Sequence, residues 1–146
     1  MPLPSTIQTQ MDTFNGKSPA VDDNYIIDDI AFKFNVVAKI AAYTCKVKES
    51  GTFFTTEGAT AAVTFTLPAV ASSANVCYWF ASMEDLAMTI TAPAATLVCG
   101  NNIAATSVSY ETGSNIIAGA FMVVCNGTKW FAVPMRPQGD AIITVA

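Results

Sequence analysis

The sequence predicts an all-β protein: an antiparallel β-sandwich or jelly-roll-like domain with an extended N-terminal arm. Three observations support this fold class. Apolar and polar residues alternate with a period of two in several short segments, turn residues recur between these segments, and no long amphipathic helical pattern appears. The length of 146 residues suits one domain with an arm. We expect the arm at residues 1–30 and the β-sandwich domain at residues 31–146.

The N-terminal arm is predicted from its lack of any sustained period and from its prolines and glycine. Eleven of the eighteen charged residues of the chain lie within residues 1–50. A segment this poor in apolar side chains cannot fold alone, but it can become ordered on a partner. Its expected anchors are Phe14, Tyr25, Ile26 and Ile27. A disordered terminus is the alternative.

Two strand patterns follow the arm. Apolar side chains from Phe32 to Ile40 alternate with polar ones, which predicts a half-buried strand, although a helix also fits. A second alternation runs from Tyr43 to Lys48. If both segments are strands, their lysines form a stripe that could dock an acidic partner, or simply an ordinary solvated face. This possible docking stripe consists of Lys33, Lys39, Lys46 and Lys48.

The remainder of the chain predicts further short strands separated by turns. Asn126-Gly127 lies between two apolar runs and predicts a hairpin with a type I′ turn, in which both central residues have positive φ. Val76 to Met83 is a continuous apolar run. The adjacent carboxylates Glu84 and Asp85 follow it, and their position predicts a solvated turn rather than a catalytic pair.

Composition excludes several classes of function. Histidine is absent, which removes Ser-His-Asp, Cys-His and His-metal chemistry. A net charge of −4 with seven basic residues argues against nucleic acid as a partner, and no apolar run approaches the ~20 residues of a membrane span. No phosphate-binding or metal-binding motif is present, so we expect no cofactor, no metal and no catalytic residues. A small enzyme that uses carboxylates alone is the weakest alternative.

The balance of apolar and charged residues needs an explanation. Apolar residues make up 52% of the chain and charged residues 12%, against about 25% charged in an ordinary soluble domain. Either Ser, Thr and Asn cover the surface, or other protein covers much of it. The four cysteines form no CxxC pair and lie in apolar runs, so we expect buried free thiols and synthesis in a reducing cytoplasm. Two disulfides are the alternative.

Four fragments of the sequence are informative together: Gly51–Gly58, Ala62–Pro68, Met88–Pro93 and Val123–Trp130. In this order they resemble a module of tailed-bacteriophage virion proteins. The resemblance spans about residues 43–134 and does not include the arm. Such modules occur in small head decoration (cement) proteins and in tail-fibre or spike proteins.

The resemblance implies a non-enzymatic virion component, commonly a homotrimer, located on the capsid surface with the major capsid protein as its partner. Because the chain is short and has neither a heptad repeat nor a collagen-like stretch, we expect a stand-alone cement protein, made in the cytoplasm of a bacterial host. A tail-fibre, spike or other receptor-binding module is the alternative. Deletion of residues 1–30 is expected to leave the β-domain folded but to weaken its incorporation into particles.

Overall fold

The computed structural model describes residues 34–110, 116–136 and 142–146, which form an all-β fold without an α-helix. The strands are β1 (Asn35–Ala38), β2 (Tyr43–Thr44), β3 (Thr52–Thr55), β4 (Val63–Thr66), β5 (Cys77–Ala81), β6 (Met88–Thr91), β7 (Leu97–Cys99), β8 (Asn102–Ala105), β9 (Ser107–Tyr110), β10 (Ala120–Cys125), β11 (Trp130–Met135) and β12 (Ile143–Val145). Short 3-10 helices occupy Val47–Glu49, Val70–Ser72 and Pro93–Ala95.

Some of the sequence predictions lie outside the described residues. These are the arm at residues 1–30, its boundary with the β-domain, and four named side chains of the arm together with one lysine of the stripe. The side chains are Phe14, Tyr25, Ile26, Ile27 and Lys33.

The strands form two mixed sheets. The seven-stranded sheet has the order β1-β3-β5-β10-β11-β7-β8, and the five-stranded sheet has the order β12-β9-β6-β4-β2. In the first, β1-β3-β5 and β11-β7 are parallel and the other pairs are antiparallel. In the second, β2-β4-β6 are parallel and β6-β9-β12 antiparallel. The prediction of antiparallel sheets is therefore wrong.

The parallel pairs result from the path of the chain. From β1 to β6 the strands belong alternately to the seven-stranded and the five-stranded sheet, so each strand pairs with the strand two positions earlier. Parallel neighbours need a crossover connection, and here the intervening strand of the other sheet serves as that crossover. The registers Phe53–Trp79 and Val63–Met88 show this arrangement in the two sheets.

Strand β1 confirms the predicted strand but reverses its expected faces. The alternation from Phe32 to Ile40 placed Phe34, Val36 and Ile40 on the buried side. In the structure these side chains are 49%, 63% and 64% exposed, and Val37 packs against the core instead. The alternation did not identify the buried side because apolar residues occur on both sides of this strand.

Two turns also differ from the sequence prediction. The alternation after Tyr43 ends with β2 at Thr44, and the chain then enters a 3-10 turn at Val47–Glu49. The predicted hairpin between β10 and β11 is confirmed, but four residues connect Cys125 to Trp130 and the type I′ turn is wrong. Asn126 Oδ1 accepts hydrogen bonds from the backbone N–H groups of the residues at 128 and 129, which is an Asx-turn geometry.

Aromatic side chains from both sheets form the core. Phe65 of β4 lies 5.7 Å from Phe54 of β3 and 4.8 Å from Phe80 of β5, between ring centroids. All three are buried, so the two sheets meet through these rings. Buried polar tips find partners: the Tyr78 hydroxyl donates to Lys46 O at 2.8 Å, and the Trp130 indole N–H donates to Pro68 O at 3.1 Å.

Candidate assembly surface

No strand of the described residues contains a charged side chain. The charged residues of the described part all lie in loops and short turns. The outward faces of the two sheets must therefore be uncharged, and alternation along each strand determines which residues form them.

The outward side of the seven-stranded sheet is apolar. Strand register aligns one row of five side chains across β1, β3, β5, β10 and β11, namely Val36, Phe53, Trp79, Met122 and Val133. A second row crosses β5, β10, β11 and β7, namely Cys77, Val124, Phe131 and Val98. We call these nine residues the apolar face.

The described part of the chain covers the apolar face only partly. Val36, Phe131 and Val133 are 63%, 41% and 46% exposed, and the other six members are half-buried. Phe34 packs edge-on against two members of the face, with its ring centroid 5.8 Å from Phe53 and 5.5 Å from Trp79. An exposed, contiguous apolar patch on a soluble protein is typical of an interaction surface.

The dimensions of the apolar face suit the centre of a protein interface. With strands about 4.8 Å apart and alternate residues about 6.7 Å apart, the two rows cover roughly 24 Å by 12 Å, or about 300 Å² in projection. A standard protein–protein interface buries about 800 Å² on each partner, with an apolar centre and a polar rim. The apolar face corresponds to such a centre.

The outward side of the five-stranded sheet differs in chemistry. Strand register aligns two rows of hydroxyl side chains, which we call the hydroxyl face. Apart from a contact between Thr66 and Thr91 and a bond from Thr91 to Phe65 O, its side chains make no hydrogen bonds within the described residues. They are thus available to water. The rows are Thr64, Thr89, Ser109, Thr144 and Thr44, Thr66, Thr91, Ser107.

Three of the four lysines of the predicted docking stripe lie within the described residues, and none of these three is on a strand. Lys39 follows β1 and its Nζ lies 3.6 Å from the Tyr43 ring centroid, a cation–π contact within the chain. Lys46 directly precedes the 3-10 turn and Lys48 lies in it, and both are exposed. These three lysines therefore do not lie on a strand face as expected, and a docking role for the stripe stays a prediction.

Glu49 fixes this turn. Its Oε1 accepts a 2.5 Å hydrogen bond from the Tyr43 hydroxyl, and its Oε2 accepts one of 2.8 Å from Lys46 N–H. The hydrogen bond to Glu49 raises the pKa of Tyr43 to about 12. Desolvation acts to raise the pKa of Glu49, but the bonds from Tyr43 and Lys46 N–H outweigh it, so that pKa is lowered. The cluster holds the turn in place.

The other groups that could carry chemistry are the Glu84 carboxylate and the four cysteine thiols. Glu84 Oε1 accepts a 2.8 Å hydrogen bond from Gly58 N–H. All four cysteines are free; Cys77 is half-buried on the apolar face, and the other three are buried. Burial raises the pKa of the Cys45 thiol to about 12 and also raises that of Cys99. Raised values disfavour the reactive thiolate at neutral pH.

The described residues contain neither a metal-binding cluster nor a membrane-spanning helix. No group of three His, Cys, Asp or Glu side chains there is placed to hold a metal ion. No helix in the described part is long and apolar enough to cross a membrane.

No protein-family model matches this sequence, and the search of curated proteins found no similar chain.

Sequence reasoning did not identify the apolar face, although two signals pointed to it. The central strands β5 and β10 are apolar at consecutive positions, which is expected only when both sides of a strand are covered. The low charge content also left a surface covered by other protein as one of two explanations. Neither signal determines the register that aligns Trp79 with Met122 and Val133.

Proposed function

We propose that this chain is a non-enzymatic structural protein of a tailed-bacteriophage virion: a head decoration (cement) protein that binds the shell between major capsid subunits and stabilises it. Its partners are the major capsid protein and further copies of the chain, as a homotrimer. The proposal includes a β-sandwich of jelly-roll type, in which the two sheets are the layers, and a location on the capsid surface after synthesis in the bacterial cytoplasm.

The apolar face is the single observation that carries this proposal. Nine aligned side chains without a charge present a surface that water solvates poorly and that protein can cover. The hydroxyl face on the other sheet suits exposure to solvent. A protein with one face for assembly and one for solvent matches a component on the outside of a shell. The resemblance of residues 43–134 to virion modules supports the same conclusion.

The proposal is tested by the location and copy number of the protein in purified particles. Quantitative mass spectrometry should find on the order of hundreds of copies per particle, as expected when a protein occupies repeated positions on a symmetric shell. Imaging should place it on the head. A few copies located at the tail would favour the fibre or spike alternative, and absence from particles would exclude both.

Binding to undecorated shells gives a second test. Purified protein should co-sediment with the shells and raise the temperature at which they open. Val133→Lys places a charge on the apolar face, whereas Thr89→Lys places the same charge on the hydroxyl face as a matched control. The proposal predicts weaker shell binding for Val133→Lys alone. Equal binding by both variants would show that the apolar face has no role in decoration.

A further inference from the structure

We propose that strand β1 is a strand-acceptor site, which binds an extended, uncharged segment of another protein as an added strand of the seven-stranded sheet. We call the side of β1 that faces away from β3 the open edge. The inference goes beyond the proposed function and does not depend on it, because it concerns the backbone of one strand and not the outward side of the sheet.

The register of β1 determines which of its backbone groups lie on the open edge. β1 is the outermost strand of its sheet and pairs with β3 in parallel. Lys39 N–H donates to Thr55 O at 2.8 Å, so the odd-numbered residues of this stretch bond to β3. The N–H and C=O groups of Val36 and Ala38 therefore point away from β3, and they have no hydrogen-bond partner among the described residues.

The other outermost strand of the same sheet is protected. On β8, Ile103 O accepts a 3.0 Å hydrogen bond from Lys129 Nζ. The next residue, Ala104, donates its N–H to Asn102 Oδ1 at 2.9 Å, and the pairing of β8 with β7 has a register shift. Side chains that cap the edge and irregular pairing are usual means by which proteins prevent strand addition.

β1 lacks these protective features. It has four residues in regular register and contains neither a proline nor a charged residue. The outermost strands of the five-stranded sheet are shorter, with two residues in β2 and three in β12. β1 is therefore the edge in the described part of the chain that is best suited to strand addition.

The open edge is accessible and already ordered. Three of the four residues of β1 are exposed, and Val36 is 63% exposed. All four residues pair with β3 on the other side, and Val37 packs against the core. The backbone groups are thus held in position before a partner arrives, which lowers the entropic cost of binding.

The surroundings of the open edge define the chemistry of the partner segment. Alternate side chains of an added strand would lie beside Val36 on the apolar side of the sheet. A charged group there would lose water without gaining an opposite charge, because β1 has none. Donors and acceptors that alternate along the open edge match the backbone of an extended strand. The partner segment is therefore extended, uncharged and apolar opposite Val36.

The length of the open edge argues against a symmetric pair of β1 strands from two copies. Four residues at about 3.3 Å each give an edge of roughly 13 Å, and stacked sheets lie about 10 Å apart, so edge-to-edge contact covers about 130 Å² on each chain. A standard interface buries about 800 Å² on each partner. An extended segment fits better, because main-chain hydrogen bonds set its register while its flanking residues remain available for further contacts.

NMR spectroscopy of the isotope-labelled full chain tests this inference with a synthetic peptide as the probe. The peptide has the sequence of residues Gly51–Thr56 with blocked ends, since this uncharged segment contains β3, the natural neighbour of β1. Binding should shift the amide protons of Val36 and Ala38 downfield and slow their exchange with solvent. The amide of Val37, which already bonds to β3, should change less. The same peptide with N-methylated backbone amides should not bind.

Two pairs of variants separate the open edge from other surfaces. Val36→Pro removes one outward N–H and keeps the bonds to β3, so it should weaken peptide binding by about tenfold. Thr44→Pro is the matched control, because the Thr44 N–H points away from β4 on an outermost strand of the other sheet. Val36→Lys protects the test from a folding defect: the exposed lysine should preserve the far-ultraviolet dichroism and also weaken binding. Thr44→Lys is its control.

The inference is overturned by unchanged Val36 and Ala38 amides, by equal binding of the N-methylated peptide, or by full binding in both Val36 variants. Slow exchange of the two amides without peptide also overturns it. Protection that disappears on dilution would identify a second copy as the occupant, and protection that persists would identify a segment of the same chain. A protein that binds the peptide but not shells contradicts the proposed function alone, and the reverse result contradicts only this inference.

Discussion

Truncation of Phe65 tests whether the aromatic core joins the two sheets. Phe65 is 0% exposed and is the residue of the five-stranded sheet whose ring contacts both Phe54 and Phe80 of the other sheet. Phe65→Ala removes both ring contacts and leaves a cavity. Buried Phe→Ala substitutions cost about 3–5 kcal/mol, a large part of the 5–15 kcal/mol by which domains are typically stable. For a chain of this length that corresponds to a loss of roughly 10 °C in Tm.

The assay is urea unfolding followed by far-ultraviolet dichroism, with all variants at one protein concentration because self-assembly would add to apparent stability. Thr64→Ala is the matched control: it is the preceding residue of the same strand, but its side chain lies on the hydroxyl face, and it should change stability by less than about 0.5 kcal/mol. A loss below about 1 kcal/mol for Phe65→Ala would refute the role of this ring in joining the sheets.

Three further predictions concern buried and titrating groups. The Thr55 hydroxyl is buried and has no hydrogen-bond partner among the described residues, so Thr55→Val should raise the free energy of unfolding by about 1 kcal/mol in urea; a marked loss would reveal a partner. Because the pKa of Glu49 is lowered in the folded chain, its stabilising contribution is present above its unfolded value of 4.5 and is lost as the pH falls through the folded value. Tyr43→Phe should weaken this loss in urea unfolding between about pH 6 and pH 3, and an unchanged acid dependence would contradict it. Thiol titration after denaturation should find four free groups, whereas none would indicate two disulfides.

The all-β class could be predicted because local patterns determine it. Alternation of apolar and polar residues identified the strands at residues 35–38, 63–66 and 88–91, and turn residues separated them. The hairpin at Asn126 was likewise predicted from neighbouring residues. The predicted type I′ turn was wrong because the Asn126 side chain accepts hydrogen bonds from the N–H groups of Thr128 and Lys129. An Asn-Gly dipeptide is compatible with either turn, so the sequence does not distinguish them.

Strand direction could not be predicted in the same way. Alternation has a period of two in parallel and antiparallel strands alike, so it contains no information about which strands pair. The alternate path of β1 to β6 between two sheets is a property of the whole chain. It brings Phe53 beside Trp79, residues separated by an entire strand of the other sheet.

The candidate site was missed for a related reason. Composition left two explanations open, a surface of Ser, Thr and Asn or a surface covered by other protein, and it located neither. Sequence reasoning then assigned Phe34 and Val36 to the buried side of their strand, because apolar residues usually face the core. In the structure they extend the apolar face or pack on it, and Val37 faces the core. Only the register shows that apolar residues on six strands form one surface.

Thiol labelling of Cys77 tests most directly whether the apolar face is the contact surface. Cys77 is the one free cysteine on that face and is half-buried in the single chain, while the other three are buried. In the native protein at high concentration, the account predicts slow labelling of Cys77 that becomes at least about tenfold faster on dilution or in Val133→Lys, as the covering copies dissociate. Thr89→Lys should label as slowly as the parent. Rapid labelling of Cys77 at every concentration, equal in all three proteins, would contradict the account.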